Sequence, residues 1–454
     1  MPEPRDLSTI VKAYDVRGVV PDELDADIAR ALGAAFARFA GAARIVMARD
    51  MRESGVELSQ AFADGVAGQG VDVVDAGLGS TDLLYFAAGS LDVPGAMFTA
   101  SHNPAKYNGI KLCLAGAKPV GQDSGLAQLR DDAQNYLSAG LPAHDGAVGT
   151  RTERAMLDDY AAYMKKLVPG IEDIRPLKVV VDAGNGMGGL TVPIVFAGLP
   201  LEVTDLYFEL DGSFPHHEAN PIDPENLRDL QREVLAQGAD LGLAFDGDAD
   251  RCFVVDERGA IVSPSTLTAL IAVRELARVP GATIIHNLIT SRAVPEIVRE
   301  HGGTPVRTRV GHSFIKAEMA RTGAVFGGEH SGHFYFSEFW NADSGMLAAL
   351  HALAALGGSS GTLSSLLGSY NPYAASGEIN STVQDAPGRV DAVRRHYASL
   401  EQDDLDGLTV SSPDGWWFNV RASNTEPLLR LNVEGPDDAS MAAVRDEVLG
   451  LIRG

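Results

Sequence analysis

Cysteine is nearly absent from this sequence: Cys113 and Cys252 are the only two among 454 residues. Two cysteines cannot brace a chain of this length with disulfide bonds, so we predict a protein of the reducing cytoplasm. Apolar runs of the ~20 residues that a membrane helix needs are also absent. Residues 1–10 lack the apolar stretch of a secretory signal, and we therefore expect neither membrane association nor export.

Basic residues are scarce as well. The chain has 37 lysines and arginines against 61 aspartates and glutamates, a formal net charge of −24. This balance argues against a nucleic-acid-binding protein. It leaves room for an anionic small-molecule substrate, because screening over ~8 Å allows a cationic cleft inside an acidic protein. Three short motifs are missing too: the Walker A lysine, H-E-x-x-H and C-x-x-C.

Strand-like and helix-like segments alternate along most of the chain. Residues 25–40 have helical apolar spacing, and residues 43–48, 177–181, 241–245 and 282–285 have the pattern of buried strands. This alternation predicts α/β units with largely parallel sheets. Turn-rich stretches at 137–152 and 357–377 indicate joints. Two strand-like runs at 415–420 and 427–433 and a helix-like run at 438–452 then predict a small α+β domain.

Three carboxylates follow the strand-like run 241–245, in the sequence Asp246-Gly-Asp248-Ala-Asp250-Arg251. Such a cluster repels itself unless a cation lies in it, and carboxylate oxygens suit Mg²⁺. An EF-hand loop is a rival interpretation, with Glu257 at its twelfth position. Arg251 stands where that loop needs glycine, and a strand rather than a helix precedes it. A solvated acidic turn is the third possibility.

A second motif, Thr99-Ala-Ser101-His102-Asn-Pro104, follows another apolar run. Asn-Pro holds the chain in a non-helical turn, which would present Ser101 as a nucleophile, with Lys111 ten residues on. These residue types are also common in ordinary turns, so the motif alone favours an ordinary turn.

Two further loops combine charged and hydroxyl side chains. In Gly-Gly-Glu329-His-Ser331-Gly-His333, alternate residues would point one way in an extended loop and suit sugar hydroxyls. In Arg421-Ala-Ser-Asn-Thr-Glu-Pro, the arginine fork and neighbouring donors suit a phosphate. A glycine-rich loop and a polar hairpin loop are the structural alternatives.

The run Gly184-Asn-Gly-Met-Gly-Gly189 fits the dinucleotide pattern G-x-G-x-x-G, and Asp205 lies about 20 residues on. Pro193 falls inside the helix that should begin there, which argues against the pattern. A structural glycine turn is the favoured interpretation, and an NAD-dependent oxidoreductase is the alternative from another class.

Taken together, the loops at 99–104, 246–251, 328–333 and 421–427 resemble the α-D-phosphohexomutase family, most closely its phosphomannomutase/phosphoglucomutase branch. Residues 12–18 and 107–111 are similar to further segments of that family. The resemblance implies three similar α/β domains, at 1–152, 153–256 and 257–368. An α+β lid domain at 369–454 would complete a central cleft.

The resemblance also implies roles for individual residues. Ser101 would carry a phosphoryl group and complete an Mg²⁺ shell with Asp246, Asp248 and Asp250. Lys111 and His333 are candidate proton acceptors, and Arg17 and Arg251 would stabilise charge. The substrate-binding residues implied are Tyr14, His102, Gly311, His312, Glu329, Ser331 and His333. The phosphate-binding residues implied are Arg421, Ser423, Asn424, Thr425 and Arg430.

The implied reaction interconverts hexose 1-phosphate and hexose 6-phosphate through a hexose 1,6-bisphosphate. His330 replaces the methionine typical of the mannose/glucose branch, and Ala249 replaces a glycine of its metal loop. The glucosamine branch typically has glutamine at position 330, so a phosphoglucosamine mutase remains an alternative, as does a sugar-phosphate sensor without turnover. The expected partners are small hexose phosphates, without nucleic acid or membrane, and the oligomeric state is left open.

Overall fold

The computed structural model describes residues 5–422 and 428–454. It divides into two compact units. The first unit runs to Ser263 and includes Ser331–Ser364, and the second comprises Pro264–His330 and Ser365–Gly454. Among the described residues, no helix has both the length and the apolar character that crossing a lipid bilayer requires.

The first sheet lies in the first unit. Its strands are β1 (Val16–Val19), β2 (Arg44–Arg49), β3 (Asp72–Leu78), β4 (Gly95–Phe98), β5 (Tyr107–Leu114), β6 (Lys118–Pro119) and β7 (Arg151–Glu153). The accompanying helices are α1 (Ala26–Ala40), α2 (Ser54–Ala67), α3 (Thr81–Leu91) and α4 (Leu126–Ala139). The strand order is β1-β5-β4-β2-β3-β7, with β6 beside β5.

Helix α1 shows how the local sequence sets these bounds. The Asp25 side chain accepts a hydrogen bond from the Ile28 amide at its start, and Gly41 ends it with a left-handed φ of 59°. The predicted helix at 25–40 is confirmed. Its apolar face joins a core that includes Phe36, Phe62 and Phe98.

The second sheet completes the α/β part of the first unit. Its strands are β8 (Leu177–Asp182), β9 (Leu201–Leu206), β10 (Leu241–Phe245), β11 (Cys252–Asp256) and β12 (Ile261–Val262), in the order β12-β11-β10-β8-β9. The helices are α5 (Leu157–Leu167), α6 (Gly188–Val195) and α7 (Arg228–Gln237).

The expectation of largely parallel sheets is only partly right. Strand β2 runs parallel to β3 and β4, and β10 runs parallel to β8. Strands β4 and β5 are antiparallel, and so are β10 and β11. The connections at 99–106 and 246–251 are too short for the crossover of a dozen or more residues that parallel neighbours need. The serine loop and the acidic loop are therefore both hairpin loops.

The second unit begins with parallel strands covered by helices. These are α8 (Pro264–Arg278), β13 (Thr283–Asn287), α9 (Ala293–Glu300), β14 (Thr304–Thr308), α10 (His312–Thr322) and β15 (Phe326–Gly328). Strand β13 pairs in parallel with both β14 and β15. The chain then returns to the first unit with β16 (Phe334–Phe336), β17 (Ala342–Asp343) and α11 (Gly345–Gly357). Helix α12 (Leu363–Leu367) spans the boundary after Ser364, where the second unit resumes.

The C-terminal part of the second unit is an antiparallel sheet with two helices. Its elements are β18 (Ala374–Thr382), α13 (Ala386–His396), β19 (Glu401–Asp403), β20 (Leu408–Ser411), β21 (Trp417–Ala422), β22 (Leu428–Gly435) and α14 (Asp438–Arg453). The strand order is β18-β22-β21-β20-β19. One apolar core unites these elements, with Phe418 and Leu431 fully buried in it. The predicted α+β character of the tail is confirmed.

Candidate active site

The serine loop begins where β4 ends. Ser101 adopts a left-handed φ of 51°, which is uncommon for a residue with a side chain. Its amide donates to the Thr99 hydroxyl (2.9 Å), and its own hydroxyl donates to Asp246 Oδ2 (2.9 Å). This backbone turn therefore directs the Ser101 hydroxyl onto the acidic loop of the second sheet.

A buried arginine that the sequence reasoning missed holds the serine loop. Arg52 is 1% exposed, and its guanidinium donates to the carbonyls of Ser101 (3.0 Å) and Asn103 (2.6 Å). It also donates to the carbonyls of Pro104 (3.0 Å) and Tyr107 (2.8 Å). A signal was present: Asp-Met-Arg follows β2, and parallel strands β2 and β4 end at one edge of the sheet.

The acidic loop buries all three of its carboxylates. Oxygen atoms from Asp246, Asp248 and Asp250 lie within 4.8 Å of one another. Gly247 lets the loop approach the serine loop, because a Cβ there would lie 2.4 Å from the Ser101 carbonyl oxygen. Ala249 has a left-handed φ of 58°, which explains physically why a glycine suits that position.

Two cations balance part of this charge. The Lys111 ammonium lies 2.6 Å from carboxylate oxygens of both Asp248 and Asp250. Arg251 Nε donates to Asp246 Oδ2 at 2.8 Å. Three carboxylates against two cations leave one negative charge. Among the described residues, the other carboxylate oxygens of Asp248 and Asp250 are buried without a hydrogen-bond partner. This unmet oxygen-rich set fits a divalent cation such as Mg²⁺.

Burial and neighbouring charges shift the pKa values of side chains in and beside the acidic loop. Burial, opposed by the Arg251 guanidinium, raises the pKa of Asp246 above its ordinary value. Burial also acts to raise the pKa of Asp248, but Lys111 and a hydroxyl donor outweigh it and lower that pKa. Burial disfavours the Lys111 ammonium, yet Asp248 and Asp250 hold the pKa of Lys111 well above its ordinary value. Lys111 is therefore a fixed positive charge in this arrangement.

The start of α3 supports the acidic loop, which the sequence reasoning also missed. The Thr81 hydroxyl donates to Asp248 Oδ2 (2.5 Å), and the Thr81 amide donates to the Asp248 carbonyl (3.0 Å). The next residue, Asp82, is buried and accepts hydrogen bonds from Tyr160 (2.9 Å) and Ser344 (2.6 Å). Burial raises the pKa of Asp82 to about 7. In the sequence, Ser-Thr-Asp is indistinguishable from an ordinary helix cap.

Two histidines flank Arg251. Its guanidinium donates to His102 Nδ1, whose pKa burial lowers well below its usual value, so that this imidazole is a neutral acceptor. His333 Nδ1 lies 2.9 Å from Asp343 Oδ2 and 3.9 Å from Asp250 Oδ1. Burial disfavours its charge, but Asp250 and Asp343 raise the pKa of His333. Asp343 was not predicted as a partner.

Arg17 contacts the serine loop from the N-terminal segment. Its guanidinium donates to the Asn103 side-chain oxygen and pairs with Asp15. The structure thus brings together seven of the predicted residues around Ser101. These are His102, Lys111, Arg251, His333, Asp246 and Asp248, with Asp250 beside them. Tyr14 is half-buried in the same N-terminal segment.

The rival interpretations of two motifs lose support from these contacts. Glu257, the twelfth EF-hand position, accepts a hydrogen bond from the Ser364 amide (3.0 Å), and a strand precedes the loop. The Gly184–Gly189 turn packs on the acidic loop, where the Met187 amide donates to the Gly247 carbonyl (2.9 Å). A Cβ at Gly186 would lie 2.7 Å from that carbonyl oxygen. Both observations favour a structural glycine turn.

The second unit holds most of the other predicted residues that the structure describes. Glu329 is buried and accepts a hydrogen bond from the Asn287 side chain (3.4 Å). His330 Nδ1 lies 3.2 Å from the Ser265 hydroxyl, and burial lowers the pKa of His330. Gly311 precedes α10 with a φ of 133°. The side chain of His312 lies outside the description, and Ser331 belongs to the first unit.

The two predicted phosphate-binding arginines share one carboxylate. Glu378 Oε2 accepts from Arg421 Nη2 (2.9 Å), and Glu378 Oε1 pairs with Arg430 Nη1 (3.2 Å). Glu378 had no sequence signal of its own. Ser423, Asn424 and Thr425 lie outside the described residues.

Comparison with known families covers both units. The phosphoglucomutase/phosphomannomutase α/β/α domains I, II and III match residues 8–137, 158–259 and 263–373, and the C-terminal domain of that family matches residues 378–451. The chain belongs to the phosphoglucomutase/phosphomannomutase family. The predicted family and the predicted four-domain α/β architecture are confirmed.

Individual family members are similar over their whole length. A protein named phosphohexose mutases from Xanthomonas campestris pv. campestris is 40% identical over 451 residues, covering 98% of this chain and 99% of that one. A phosphomannomutase from Salmonella montevideo is 39% identical, with coverage of 98% and 99%. The crystal structure of a phosphoglucomutase/phosphomannomutase family protein from Burkholderia thailandensis superposes with a TM-score of 0.86 at 35% identity. It covers 98% of this chain and 97% of its own.

Proposed function

We propose that the protein is a phosphomannomutase/phosphoglucomutase, which reversibly interconverts hexose 1-phosphates and hexose 6-phosphates. The observation that carries this proposal is the hydrogen bond from Ser101 to Asp246. It sets a hydroxyl nucleophile against a buried acidic cluster that has an unmet need for a cation. Membership of the phosphoglucomutase/phosphomannomutase family supports the same reaction.

The proposed chemistry consists of two phosphoryl transfers, the first from Ser101 to the sugar and the second from the sugar back to Ser101. Phosphorylated Ser101 donates its phosphoryl group to the free hydroxyl of a bound hexose phosphate. The bond from serine oxygen to phosphorus breaks, and the bond from sugar oxygen to phosphorus forms. The hydroxyl proton passes to a base. The resulting hexose 1,6-bisphosphate reverses its orientation and returns its other phosphoryl group to Ser101. The phosphorylated enzyme is thereby regenerated, and the sugar is isomerised.

Among the residues around Ser101, we assign the proton acceptor role to His333. A general base must be unprotonated before it can accept the proton of the sugar hydroxyl. Lys111 does not meet this condition, because two carboxylates hold it as an ammonium. Asp343 binds one ring nitrogen of His333 and leaves the other for the sugar hydroxyl. Lys111, Arg251 and Arg17 would then stabilise the charge that develops on the moving phosphoryl group.

The acidic loop is the proposed magnesium site. Asp246, Asp248 and Asp250, with the phosphate on Ser101, would hold the ion, as the unmet carboxylate oxygens indicate. When bound, Mg²⁺ supplies positive charge beside the transferred group. The protein's own contribution is to bury and fix these oxygens before the substrate arrives.

The remaining residues are proposed to bind the substrate. Glu329 and Ser331 would bind the sugar O3 and O4 hydroxyls, which are oriented alike in glucose and mannose, so we expect both sugars to be used. Tyr14, His102, Gly311 and His312 would complete the contacts. Arg421 and Arg430, with Ser423, Asn424 and Thr425, would bind the phosphate that is not being transferred. The cytoplasmic location and the domain boundaries stay predictions.

A coupled assay tests the proposal. The protein, Mg²⁺ and a trace of glucose 1,6-bisphosphate are incubated with mannose 1-phosphate, glucose 1-phosphate or glucosamine 1-phosphate, and the 6-phosphates are measured. We expect conversion of the mannose and glucose substrates. Conversion of glucosamine 1-phosphate alone would replace the proposal with the phosphoglucosamine alternative. Saturable binding without any conversion, by protein shown to carry phosphate on Ser101, would refute mutase activity.

A further inference from the structure

Two arginines of the C-terminal sheet oppose each other directly. Strands β21 and β22 are antiparallel, and their register pairs Arg421 with Arg430. Directly opposite residues of an antiparallel pair carry their side chains on one face with Cβ atoms ~5 Å apart, so two like charges there destabilise the sheet. Arg421 is only 8% exposed, which limits the screening of this repulsion by water.

Glu378 reaches this pair from the neighbouring strand. In the register of β18 with β22, Glu378 lies opposite Asn432, two residues from Arg430 and therefore diagonal to it. The register of β18 shifts between Ala375 and Glu378. A bulge of this kind re-aims the side chain that follows it. The Glu378 carboxylate uses one oxygen for each arginine, at 2.9 Å and 3.2 Å.

The charge of this cluster bears directly on phosphate binding. Two guanidinium groups and one carboxylate sum to a single positive charge, where the arginines alone would present two. A phosphate with a charge of about −1.5 to −2 therefore meets half the attraction. It also competes with Glu378 for the same N–H donors. The Nε atoms of both arginines are buried without a partner among the described residues, so the carboxylate does not saturate them.

The proposed mutase reaction needs a phosphate anchor, a binding site for the phosphate that is not transferred, and this anchor must release its phosphate in every catalytic cycle. Each catalytic cycle requires the bisphosphate to leave the anchor by one phosphate and to return by the other. An anchor of two unopposed arginines would hold the first phosphate too long. We propose that Glu378 is a positioning residue that acts through Arg421 and Arg430. It holds the two guanidinium groups side by side and lowers their affinity for phosphate, so that the bisphosphate intermediate can leave the anchor and reverse its orientation. This inference rests on the proposed function.

Glu378→Gln tests it, because the variant keeps the shape of the side chain and removes its charge. Binding of mannose 1-phosphate is measured by calorimetry in the Ser101→Ala background, where no turnover occurs, and kcat and KM are measured with Ser101 intact. We expect about fivefold tighter binding or more, with kcat and KM both reduced. Glu447→Gln, at an exposed side chain of α14, removes the same formal charge and should change each quantity less than twofold.

Equal or weaker binding by Glu378→Gln would overturn the proposal, since Glu378 would then only hold the arginines in place. Glu378→Asp is a second variant, whose shorter side chain reaches one guanidinium at most. It should bind with an affinity between those of the parent and Glu378→Gln, and it decides the question if the glutamine variant does not fold. The calorimetric binding measurement distinguishes a failure of this inference from a failure of the proposed function. Tighter binding in a protein without mutase activity would refute only the function.

Discussion

The Lys111 ammonium lies 2.6 Å from a carboxylate oxygen of Asp248. It makes an equal contact with Asp250, so a side chain from the first sheet enters an acidic loop of the second. Lys111 therefore supplies part of the positive charge that three buried carboxylates need. The remaining deficit of one charge is the physical basis for placing a divalent cation here.

Removing the charge of Lys111 should strengthen cation binding. In Lys111→Met, three carboxylates are left with Arg251 alone, so we expect Mn²⁺ to bind at least about tenfold tighter, measured by calorimetry or electron paramagnetic resonance. Mutase activity should fall by about a hundredfold or more, because the charge beside the phosphoryl group is lost. Lys118→Met, at an exposed lysine on β6, is the control. Unchanged or weaker Mn²⁺ binding by Lys111→Met would contradict this description of the loop.

Ser101→Ala should separate binding from chemistry. We expect activity to fall by at least about a thousandfold, because the variant lacks the hydroxyl that donates to Asp246 Oδ2 and is proposed to carry the phosphoryl group. Binding of hexose 6-phosphate, measured by calorimetry, should stay within about threefold of the parent. Substantial residual turnover would mean that the phosphoryl carrier is another residue.

Loss of the Arg52 guanidinium hydrogen bonds should lower kcat more than it raises KM. Arg52→Lys keeps the charge but cannot donate to four carbonyls at once. We expect kcat to fall about ten- to a hundredfold with KM within about threefold, because the loop that carries Ser101 loses its fixed conformation. A cavity of about 390 Å³, lined in part by Arg52, Ser54 and Lys106, gives access to this position.

That cavity allows a rescue experiment. Guanidinium ion added to Arg52→Ala should restore part of kcat, whereas sodium at the same ionic strength should not. A kcat loss that guanidinium leaves unchanged, accompanied by a large rise in KM, would indicate general disruption rather than loop positioning.

Asp82 should make stability depend on pH. Its pKa rises from 3.8 to about 7 on folding, so the folded chain holds this proton more tightly than the unfolded chain. The stabilisation is complete below about pH 4 and is lost as pH rises through 7, by about 4 kcal/mol at most. In Asp82→Asn this loss is absent. The Tm of the parent minus that of Asp82→Asn should therefore fall between pH 4 and 7 and level off above 8. A difference that rises with pH would contradict the assignment.

The local sequence predicted well wherever chain neighbours decide the structure. The bounds of β10 matched, because an unbroken buried run is followed at once by charged residues. The helix at 26–40 matched, because its cap and its apolar spacing are both local. The acidic loop was predicted from its spacing, whereas the serine motif alone favoured an ordinary turn. Their meeting across two sheets followed from resemblance to a family, not from the spacing itself.

The partners contributed by distant segments could not be predicted. Arg52, Thr81 and Glu378 act through contacts with residues 43 or more positions away in sequence, and each looks ordinary among its neighbours. The antiparallel course of β5 and β11 was missed for a related reason. Alternating strands and helices favour parallel sheets, and only the shortness of two connections shows that the chain turns back.

The proposed reaction depends on a transferable phosphoryl group on Ser101. Its most direct test is intact mass and peptide mapping after incubation with glucose 1,6-bisphosphate and Mg²⁺, then after addition of excess hexose 6-phosphate. We expect an added ~80 Da on the peptide containing Ser101, which the acceptor sugar removes. An unmodified Ser101 in active protein, or the added mass on another residue, would contradict it.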